Sequence, residues 1–360
     1  MSADTTHEAT PAPIEFGIDT FGDIPVDADG NLVPHPEAIR QVVEEAVLAD
    51  QIGIDVVALG EHHRPDYAIS SPETILAGIA TRTERIKLAS GVTVLSSDDP
   101  VRVFQRFATL DALSNGRAQV ILGRGSFTES FPLFGYDLAD YEVLFEEKIE
   151  LFAELLKEQP VTWQGTTRAA LHNADVYPKT ASGHLDTWVG VGGSPQSVIR
   201  TAQYGLPLMI AIIGGPASRF ASYVELYRRA TEKFGTTAHP VGMHSPGFVA
   251  DSDEEAAEIV WPHFKENRDR IGASRGWPPV TRQAFESEIA GGSLYLGSPE
   301  TVARRMAQAI RTLGVGRFDL IYTLGSVPSD ARLRAVELYG REVIPRVREL
   351  LGEKPREVSA

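Results

Sequence analysis

The sequence predicts a single (β/α)8 barrel, an α/β fold in which eight parallel strands alternate with helices. Three observations support this prediction. Eight short runs rich in Val, Ile and Leu recur along the chain, an amphipathic segment follows each run, and no composition break marks a linker within the 360 residues. Strands of this composition that alternate with helices are typical of a parallel sheet covered by helices.

The alternative to a barrel is a Rossmann-like domain followed by a second domain. The glycine fingerprint of such a domain, G-x-G-x-x-G, should follow the first strand. The residues at that place are FGIDTFGDIP, which contain no such motif. The closed barrel is therefore the favoured prediction.

The first predicted unit is a strand over 14–20 and a helix over 36–53, in which Pro36 suits the first turn and Gly53 the exit. The other predicted strands are 56–62, 87–95, 118–125, 187–193, 206–213, 240–250 and 318–325. The other predicted helices are 72–82, 99–115, 141–158, 195–205, 216–235, an acidic helix from about 252, and 329–350. The barrel is expected to occupy 14–350, between disordered tails at 1–13 and 351–360.

Two segments interrupt this alternation. Residues 159–186 are less regular, and we expect them to add short strands. An insertion at about 265–297, between the seventh and eighth strands, contains Gly and Pro and should lie beside the active-site mouth of a barrel. We expect this insertion to be a mobile lid, and the alternative is a packed surface excursion.

Composition and charge exclude several classes of function. A formal net charge of −15 and a pI of about 5.1 oppose binding to nucleic acid or to an anionic membrane. The absence of cysteine excludes disulfides, thiolate nucleophiles and thiolate-ligated metals. No apolar run approaches the roughly 20 residues of a membrane helix, and the polar N-terminus does not resemble a signal peptide. We therefore expect a cytoplasmic protein.

Glu61, His62 and His63 follow the second strand, at the end of a barrel where active-site groups collect. Because side chains alternate along a strand, His62 shares a face with Ala58 and Gly60, and we expect this set to face the lumen. Glu61 should then point towards the helices, where a cation could pair with it. Neighbours that point apart cannot share a metal, so we predict no metal site. A strand end without chemistry is the alternative for His62.

Small residues end several other strands, in ASGVTVLSSDDP at 89–100, GRGS at 123–126, GGSPQS at 192–197 and GGP at 214–216. They could leave room for a large, flat cofactor at the mouth. Alternatively, they serve tight turns that need glycine.

The segment GGSPQS has the form of an anion site at a helix N-terminus. Gly193 lets a backbone approach closely, Ser194 caps the helix, and Gln196 and Ser197 add donors beside free N–H groups. Arg124, at the end of the neighbouring fourth strand, is a suitable charged partner for the same anion. An ordinary helix cap is the alternative.

Fragments along nearly the whole chain resemble, in the same order, the bacterial luciferase-like superfamily of flavin-dependent monooxygenases, especially the luciferase α subunit. These fragments are GEHH at 60–63, KLASGVTVLSSDDPVR at 87–102, LDALSNGRAQVILGRG at 110–125, FGYD at 134–137, GGSPQSVIRTAQYGLPLMI at 192–210 and LGSPETVARRM at 296–306. The motifs are more specific as a set than any one of them alone.

The resemblance implies an FMN-type flavin at the carboxyl-terminal mouth of the barrel and a non-proline cis peptide at Gly91–Val92. It implies that His62 is the catalytic histidine and that Arg124, Ser194 and Ser197 hold the flavin phosphate. The full predicted cofactor-binding set is Ser90, Gly91, Val92, Arg124, Gly192, Gly193, Ser194, Gln196 and Ser197.

Two positions depart from the luciferase pattern. Gly193 stands where luciferase has a phosphate-contacting glutamate, and Gly123 stands where it has a reactive cysteine. The resemblance therefore implies the flavin site but neither light emission nor specificity for long-chain aldehydes.

The implied activity is a monooxygenase in which reduced FMN and O₂ form a C4a-hydroperoxide that oxidises a small organic substrate. His62 would assist proton transfer, because the unperturbed pKa of histidine is close to neutrality. Reducing equivalents would come from NAD(P)H or from a separate flavin reductase, and we expect a homo-oligomer. The alternatives are hydride transfer with the deazaflavin F420 or flavin, and a non-catalytic flavin-binding protein. His62 and the insertion favour catalysis.

Overall fold

The computed structural model describes residues 13–353, and within them eight parallel strands form a closed barrel. The barrel strands are β1 (Glu15–Thr20), β2 (Val56–Leu59), β3 (Lys87–Ser90), β4 (Ala118–Gly123), β5 (Asp186–Val191), β6 (Leu208–Ala211), β7 (Gly242–Val249) and β8 (Arg317–Ile321). The ring is closed because β6 pairs with β7, and β8 pairs with both β7 and β1. The predicted (β/α)8 barrel is confirmed, and the open two-domain alternative is wrong.

Helices cover the outside of the barrel. They are α1 (His35–Gln51), α2 (Pro72–Ala80), α3 (Pro100–Ser114), α4 (Ser130–Phe134), α5 (Tyr141–Leu155), α6 (Pro195–Gln203), α7 (Ala221–Phe234), α8 (Asp253–Arg275), α9 (Arg282–Gly291), α10 (Pro299–Leu313), α11 (Ser329–Leu338) and α12 (Ile344–Leu351). Short 3₁₀ turns occupy Leu95–Ser97, Leu138–Asp140 and Ala217–Phe220, and a π-helical turn at Tyr339–Val343 joins α11 to α12.

Helix α3 shows how local sequence fixes a boundary. The carboxylate of Asp99 accepts hydrogen bonds from the N–H groups of Val101 and Arg102, at 3.0 and 3.2 Å, and Pro100 takes the first helical position. At the other end Asn115 adopts the left-handed conformation that stops the helix. The chain is thereby returned to the start of β4.

Side chains of β2 alternate between the helix layer and the lumen. Val57 and Leu59 belong to the main hydrophobic core between the strands and the helices. Val56 and Ala58 instead pack with Ala89 of β3 inside the barrel. The expected inward orientation of the small residues of this strand is confirmed.

A buried polar network fills the lumen at the amino-terminal ends of the strands. Arg317 is 1% exposed, and its guanidinium bonds the carboxylate of Asp319 and, at 2.8 Å, the side-chain oxygen of Gln119. Gln119 donates to Asp186, which also accepts from the indole of Trp188 at 3.0 Å. Burial of these charges is tolerated because each has a partner.

The insertion between β7 and β8 is folded and packs into a hydrophobic cluster that it shares with the end of β7 and the start of α11. The short strand Tyr295–Gly297 continues the pairing along the end of β7. Phe248, Val260, Phe285 and Leu296 are buried in one cluster beneath α8 and α9. That the insertion is a mobile lid stays a prediction.

The irregular segment predicted at 159–186 contains an antiparallel hairpin of Val161–Trp163 with Leu171–Ala174. The expected short strands are therefore confirmed. They lie outside the barrel ring and pair only with each other among the described residues.

The two ends of the described chain meet. The N–H of Ile14 donates to the carboxylate of Glu353 at 3.0 Å, and Arg348 binds the same carboxylate at 2.7 Å. Of the predicted tails, 1–12 and 354–360 lie outside the described residues, and Leu351 still belongs to α12. The boundaries at 14 and 350 stay a prediction.

From residue 13 to 353, no helix has both the length and the apolar character needed to cross a membrane.

Candidate active site

The segment that carries Glu61, His62 and His63 leaves the sheet earlier than predicted. β2 ends at Leu59, because the N–H of His62 donates to the carbonyl of Ile69, 2.9 Å away, instead of to a neighbouring strand. The three polar residues therefore belong to a loop at the mouth of the barrel.

His62 lies among aromatic rings. The ring centroids of Phe21, Tyr67 and Phe127 are 5.1, 4.5 and 5.0 Å from the centroid of its imidazole. Burial lowers the pKa of His62 to about 3 and outweighs the opposing effect of the Asp66 carboxylate. The imidazole is therefore neutral at physiological pH. A neutral ring still offers one hydrogen-bond donor and one acceptor.

Glu61 and His63 bind each other. Nε2 of His63 lies 3.0 Å from Oε1 of Glu61, and the other carboxylate oxygen accepts from the N–H of Val94 at 2.9 Å. The ring of Phe134 covers His63 edge-on at 5.0 Å. The predicted pairing of Glu61 with a cation of the helix layer is not found among the described residues. Its carboxylate instead binds the loop after β3 through the N–H of Val94. His63 thus has a structural partner.

No group of three or more His, Asp or Glu side chains between residues 13 and 353 is placed to hold a metal ion. That the protein has no metal site stays a prediction.

The chain after β3 turns at a cis peptide between Gly91 and Val92, as predicted. Ser90, just before it, is fully buried, and its hydroxyl accepts from the hydroxyl of Thr93 at 2.8 Å and from the N–H of Ile121 at 3.2 Å. These bonds tie the turn to β4. The Ser90 hydroxyl thus has partners within the fold, and its place in the cofactor-binding set stays a prediction.

Val92 points into the lumen and packs against Ile121 and Trp188. A Cβ atom added at Gly123 would lie 2.5 Å from one methyl group of Val92, and one at Gly190 would lie 2.8 Å from the other. Val92 fills the space beside Gly123 and forms part of the inner wall at the mouth. That the small residues at the strand ends make room for a cofactor stays a prediction.

Arg124 and the start of α6 come together as predicted. Nη2 of Arg124 donates to the hydroxyl of Ser197 at 3.2 Å. The hydroxyl of Ser194 caps α6 by accepting from the N–H of Ser197 at 3.4 Å, and Pro195 takes the first helical position. A guanidinium, two hydroxyls and a helix N-terminus therefore converge at the end of β4 and β5, a donor set suited to a phosphate.

The neighbouring predicted residues surround this donor set. Gly192 is exposed, and a Cβ there would point into open space. Gly193 has φ of +132°, a conformation that favours glycine, and its carbonyl accepts from the hydroxyl of Tyr223 at 2.9 Å. Gln196 is exposed and accepts from the hydroxyl of Ser194 at 3.2 Å. All three lie on the rim beside Arg124.

Arg124 also has an internal anionic partner. Its Nη1 bonds the carboxylate of Glu142, at the start of α5, at 2.6 Å. The Glu142 side chain is 68% exposed. A carboxylate thus already occupies one side of the guanidinium that is predicted to bind a phosphate.

The insertion reaches the mouth. Arg275, at the end of α8, donates to the carbonyl of Ser126 at 2.9 Å and lies over the ring of Phe127. Arg270 pairs with Asp66 at 3.2 Å. These contacts join the insertion to the loops after β2 and β4, which is the position expected of a lid.

Asp19 and His244 form a buried pair that the sequence did not indicate. Oδ2 of Asp19 lies 2.7 Å from Nδ1 of His244, although the residues are 225 positions apart. A Cβ at Gly91 would lie 3.1 Å from the other carboxylate oxygen, so the pair sits beside the cis peptide. Burial raises the pKa of Asp19, while the bond to His244 opposes that shift. The sequence signal that could have indicated this pair is Asp19 itself, a polar residue on the lumen face of the otherwise apolar strand β1.

The structure is thus an α/β barrel, and at its carboxyl-terminal mouth a guanidinium and two hydroxyls converge on the start of α6. The luciferase-like monooxygenase family matches residues 14–317, and the chain belongs to that family. This confirms the resemblance carried by the motifs. The chain is an oxidoreductase of the luciferase-like class.

Similar proteins include enzymes with two different cofactors. The 4-hydroxyprotoasukamycin monooxygenase of Streptomyces nodosus subsp. asukaensis is 31% identical over 84% of this chain and 85% of its own length. The oxygenating constituent of 3,6-diketocamphane monooxygenase from Pseudomonas putida, solved with FMN, is 18% identical, with a TM-score of 0.74 over 93% of this chain and 99% of that one.

The coenzyme F420-dependent tetrahydromethanopterin reductase of Methanopyrus kandleri is 19% identical, with a TM-score of 0.69 over 93% of this chain and 100% of that one. At these identities the two solved structures demonstrate a shared fold.

Proposed function

We propose that this protein is a flavin-dependent monooxygenase that uses reduced FMN and O₂ to oxidise a small organic substrate. The observation that carries the proposal is the convergence of Arg124 and Ser197 at the N-terminus of α6. Two findings support the proposal: the chain belongs to the luciferase-like family, and it is similar to the 4-hydroxyprotoasukamycin monooxygenase of Streptomyces nodosus. The Pseudomonas neighbour that binds FMN has the same fold.

The phosphate of FMN fits the donor set at the end of β4 and β5. Arg124 would supply the positive charge, Ser194 and Ser197 their hydroxyls, and the first turn of α6 its free N–H groups. Gly192 and Gly193 leave the backbone open on the side of the phosphate, since neither carries a side chain. Gln196 would add an amide donor at the rim.

The ring end of the cofactor would lie towards Gly91 and Val92, which form the wall of the mouth after β3. When bound, a reduced flavin supplies the electrons that activate O₂. His62, held neutral among three rings, would offer a hydrogen bond at the reacting edge and, with those rings, exclude water. The insertion would cover the site through Arg275.

Hydride transfer with F420 or flavin, without O₂, is the second candidate function. The Methanopyrus reductase, an F420 enzyme of the same fold, favours it. F420 also carries phosphate, so the anion site fits both cofactors. A non-catalytic flavin-binding protein is a third candidate, but it would need neither His62 nor a lid.

The decisive experiment mixes the purified protein with reduced FMN without oxygen, admits O₂ and follows the absorbance spectrum. A monooxygenase should delay reoxidation and hold an oxygenated form far longer than free FMN does. Tight binding of F420 together with no affinity for FMN would support hydride transfer instead. Adding NADH or NADPH alone tests whether the protein reduces its own flavin or needs a separate reductase, and sedimentation tests the expected homo-oligomer.

A further inference from the structure

Two histidines lie at the mouth of the barrel, and their surroundings differ. His62 is enclosed by rings, which keep it neutral. His244, on β7, instead faces a carboxylate, since its Nδ1 lies 2.7 Å from Oδ2 of Asp19 on β1. The two histidines therefore cannot carry out the same chemistry. A ring paired with a carboxylate can hold a positive charge, whereas a ring among aromatic groups cannot.

Both members of the pair project into the lumen. Asp19 follows the inward-facing Gly17 by two residues, whereas Phe16 and Ile18 belong to the outer core. Asp19 is 1% exposed, while the His244 side chain retains 9% exposure. Apart from the contact with Asp19, no described residue bonds a ring nitrogen of His244.

The geometry resembles that of a histidine general base with an orienting carboxylate. When Asp19 is ionised, its Oδ2 accepts a hydrogen bond from Nδ1–H of His244, and in that tautomer Nε2 of the neutral ring carries a lone pair. The second oxygen of Asp19, Oδ1, has no hydrogen-bond partner among the described residues although it is buried. The carboxylate therefore has capacity left to stabilise a cationic ring.

The charged groups near the pair come from β8, which lies between β7 and β1. Asp319 pairs in register with His244, but its carboxylate is bound by Arg317 at 2.6 Å. These two opposite charges offset each other. The strand on the other side, β6, faces His244 with Ala211, which is uncharged. Asp19 is therefore the dominant charge acting on His244.

We propose that His244 is a second catalytic residue, which takes a proton from a weakly acidic hydroxyl group of the substrate, such as a phenol or an enol. Asp19 is its positioning residue. The O–H bond of the substrate breaks, its electron pair stays on oxygen, and the proton forms an N–H bond at Nε2. The resulting imidazolium lies beside the Asp19 carboxylate. An ionised phenol or enol is richer in electrons at the neighbouring carbon, which suits it to accept an electrophilic oxygen atom.

This inference rests on the proposed monooxygenase function and narrows its substrate class to hydroxyl-bearing aromatic or enolic compounds. The probe is 4-nitrophenol, whose anion is yellow and whose neutral form is nearly colourless. The protein is loaded with oxidised FMN, and the ionisation of bound 4-nitrophenol is followed by difference spectroscopy against pH. FMN binding is measured separately by quenching of flavin fluorescence.

In the wild type the ionisation midpoint of bound 4-nitrophenol should fall by about one pH unit relative to solution, because the imidazolium and phenolate stabilise each other. His244→Gln and Asp19→Asn should abolish this shift. His172→Gln is the matched control, since His172 is exposed in the outer hairpin, and it should behave as the wild type does. An equal midpoint in the wild type and in His244→Gln, or no binding of 4-nitrophenol at all, would overturn the proposal.

A measurement on the unaltered protein removes the question of misfolded variants. Nitrogen-15 NMR of the imidazole rings should show His244 protonated at Nδ1 and unprotonated at Nε2 in its neutral form. The opposite tautomer would also overturn the proposal. If FMN binds normally but the phenol is not ionised, the inference fails and the flavin function stands. If FMN does not bind, the flavin function fails, while the tautomer and the phenol shift in cofactor-free protein still test the pair.

Discussion

Nη2 of Arg124, the residue that follows β4, donates a hydrogen bond to the hydroxyl of Ser197 in the first turn of α6 at 3.2 Å. The contact joins the ends of two adjacent strands through side chains alone. It places a permanent positive charge beside the free N–H groups of a helix. An anion bound there would be held by parts of the chain that are 73 residues apart.

Replacing Arg124 by alanine should weaken FMN much more than riboflavin, which lacks the phosphate. Loss of a charge-assisted hydrogen bond costs about 1.5–3 kcal/mol, so we expect FMN affinity to fall by about 10–100-fold. Riboflavin affinity should change by less than about threefold. Fluorescence titration of both ligands measures this difference, and an equal loss for both would refute the phosphate assignment.

Replacing Glu142 by glutamine should have the opposite effect on FMN. The Glu142 carboxylate bonds Nη1 of Arg124 at 2.6 Å and competes with an incoming phosphate. An exposed ion pair contributes about 0.2–1 kcal/mol, so FMN should bind about 1.5–5-fold more tightly to the variant. Glu154→Gln, which removes an exposed carboxylate at the far end of α5, is the matched control. Unchanged FMN affinity in Glu142→Gln would exclude this competition.

His62→Ala should retain flavin and lose substrate oxidation. Removal of a proton-transfer or hydrogen-bonding group commonly lowers turnover by about 10²–10⁴-fold, whereas the phosphate site is untouched. Turnover is measured as substrate-dependent oxygen consumption with FMN binding as the control. Normal turnover in His62→Ala would rule out a catalytic role for this residue.

His62 should also make the fold less stable in acid. Its pKa is lowered to about 3 in the folded protein, whereas the ordinary value is 6.5, so the unfolded chain binds the proton more readily. The contribution of neutral His62 to the free energy of unfolding is fully present above pH 6.5 and declines as the pH falls below that value. From pH 7.5 to pH 5, this group should remove about 1–2 kcal/mol from the free energy of unfolding.

Urea unfolding at the two pH values measures this loss. His62→Gln cannot titrate, so its free energy of unfolding should fall less than that of the wild type over the same range. His172→Gln, at an exposed position, should follow the wild type. Identical acid sensitivity of His62→Gln and the wild type would contradict the lowered pKa.

Gly123→Ala should destabilise the fold by forcing Val92 to move. The new methyl group would lie 2.5 Å from a methyl group of Val92, and overpacking of this kind costs about 1–3 kcal/mol. The double variant Gly123→Ala/Val92→Ala should recover part of the loss, because it removes both methyl groups of Val92 but keeps the Cβ atom, which lies 2.9 Å from the added methyl group. Gly192→Ala, whose methyl group would enter open space, is the control. Thermal unfolding is the measurement, and additive losses in the double variant would show that residues 123 and 92 do not interact.

The sequence could predict the barrel because its strands are apolar runs set apart by amphipathic helices. Interruptions of this pattern were harder to place. The strand predicted to reach residue 62 ends at Leu59, because the N–H of His62 finds its acceptor, Ile69, seven residues along the chain. No strand or turn propensity of the residues predicts such a hydrogen bond. The cis peptide at Gly91–Val92 was predictable only from family resemblance.

The convergence of Arg124 with the start of α6 was predictable for a different reason. Ser194 and Ser197 lie within one helix turn, and Arg124 ends the neighbouring strand, so the strand order alone brings them together. Asp19 and His244 lie on strands separated by β8, and their meeting depends on the closure of the barrel. Pairwise contacts of this kind arise from three-dimensional packing and leave no spacing signal in one sequence.

The hydrogen bond between Ile14 and Glu353 has a practical consequence for experiments on this protein. Ile14 precedes β1, so both residues lie on the face of the barrel at the amino-terminal strand ends, opposite the mouth. A surface tether attached at either residue would leave the barrel on that rear face, so an immobilised protein would keep its mouth open to solution. The proximity also makes this position suitable for joining the two ends with a short linker and opening the chain elsewhere. A circular permutant cut in the outer hairpin at 164–170 would preserve every barrel strand.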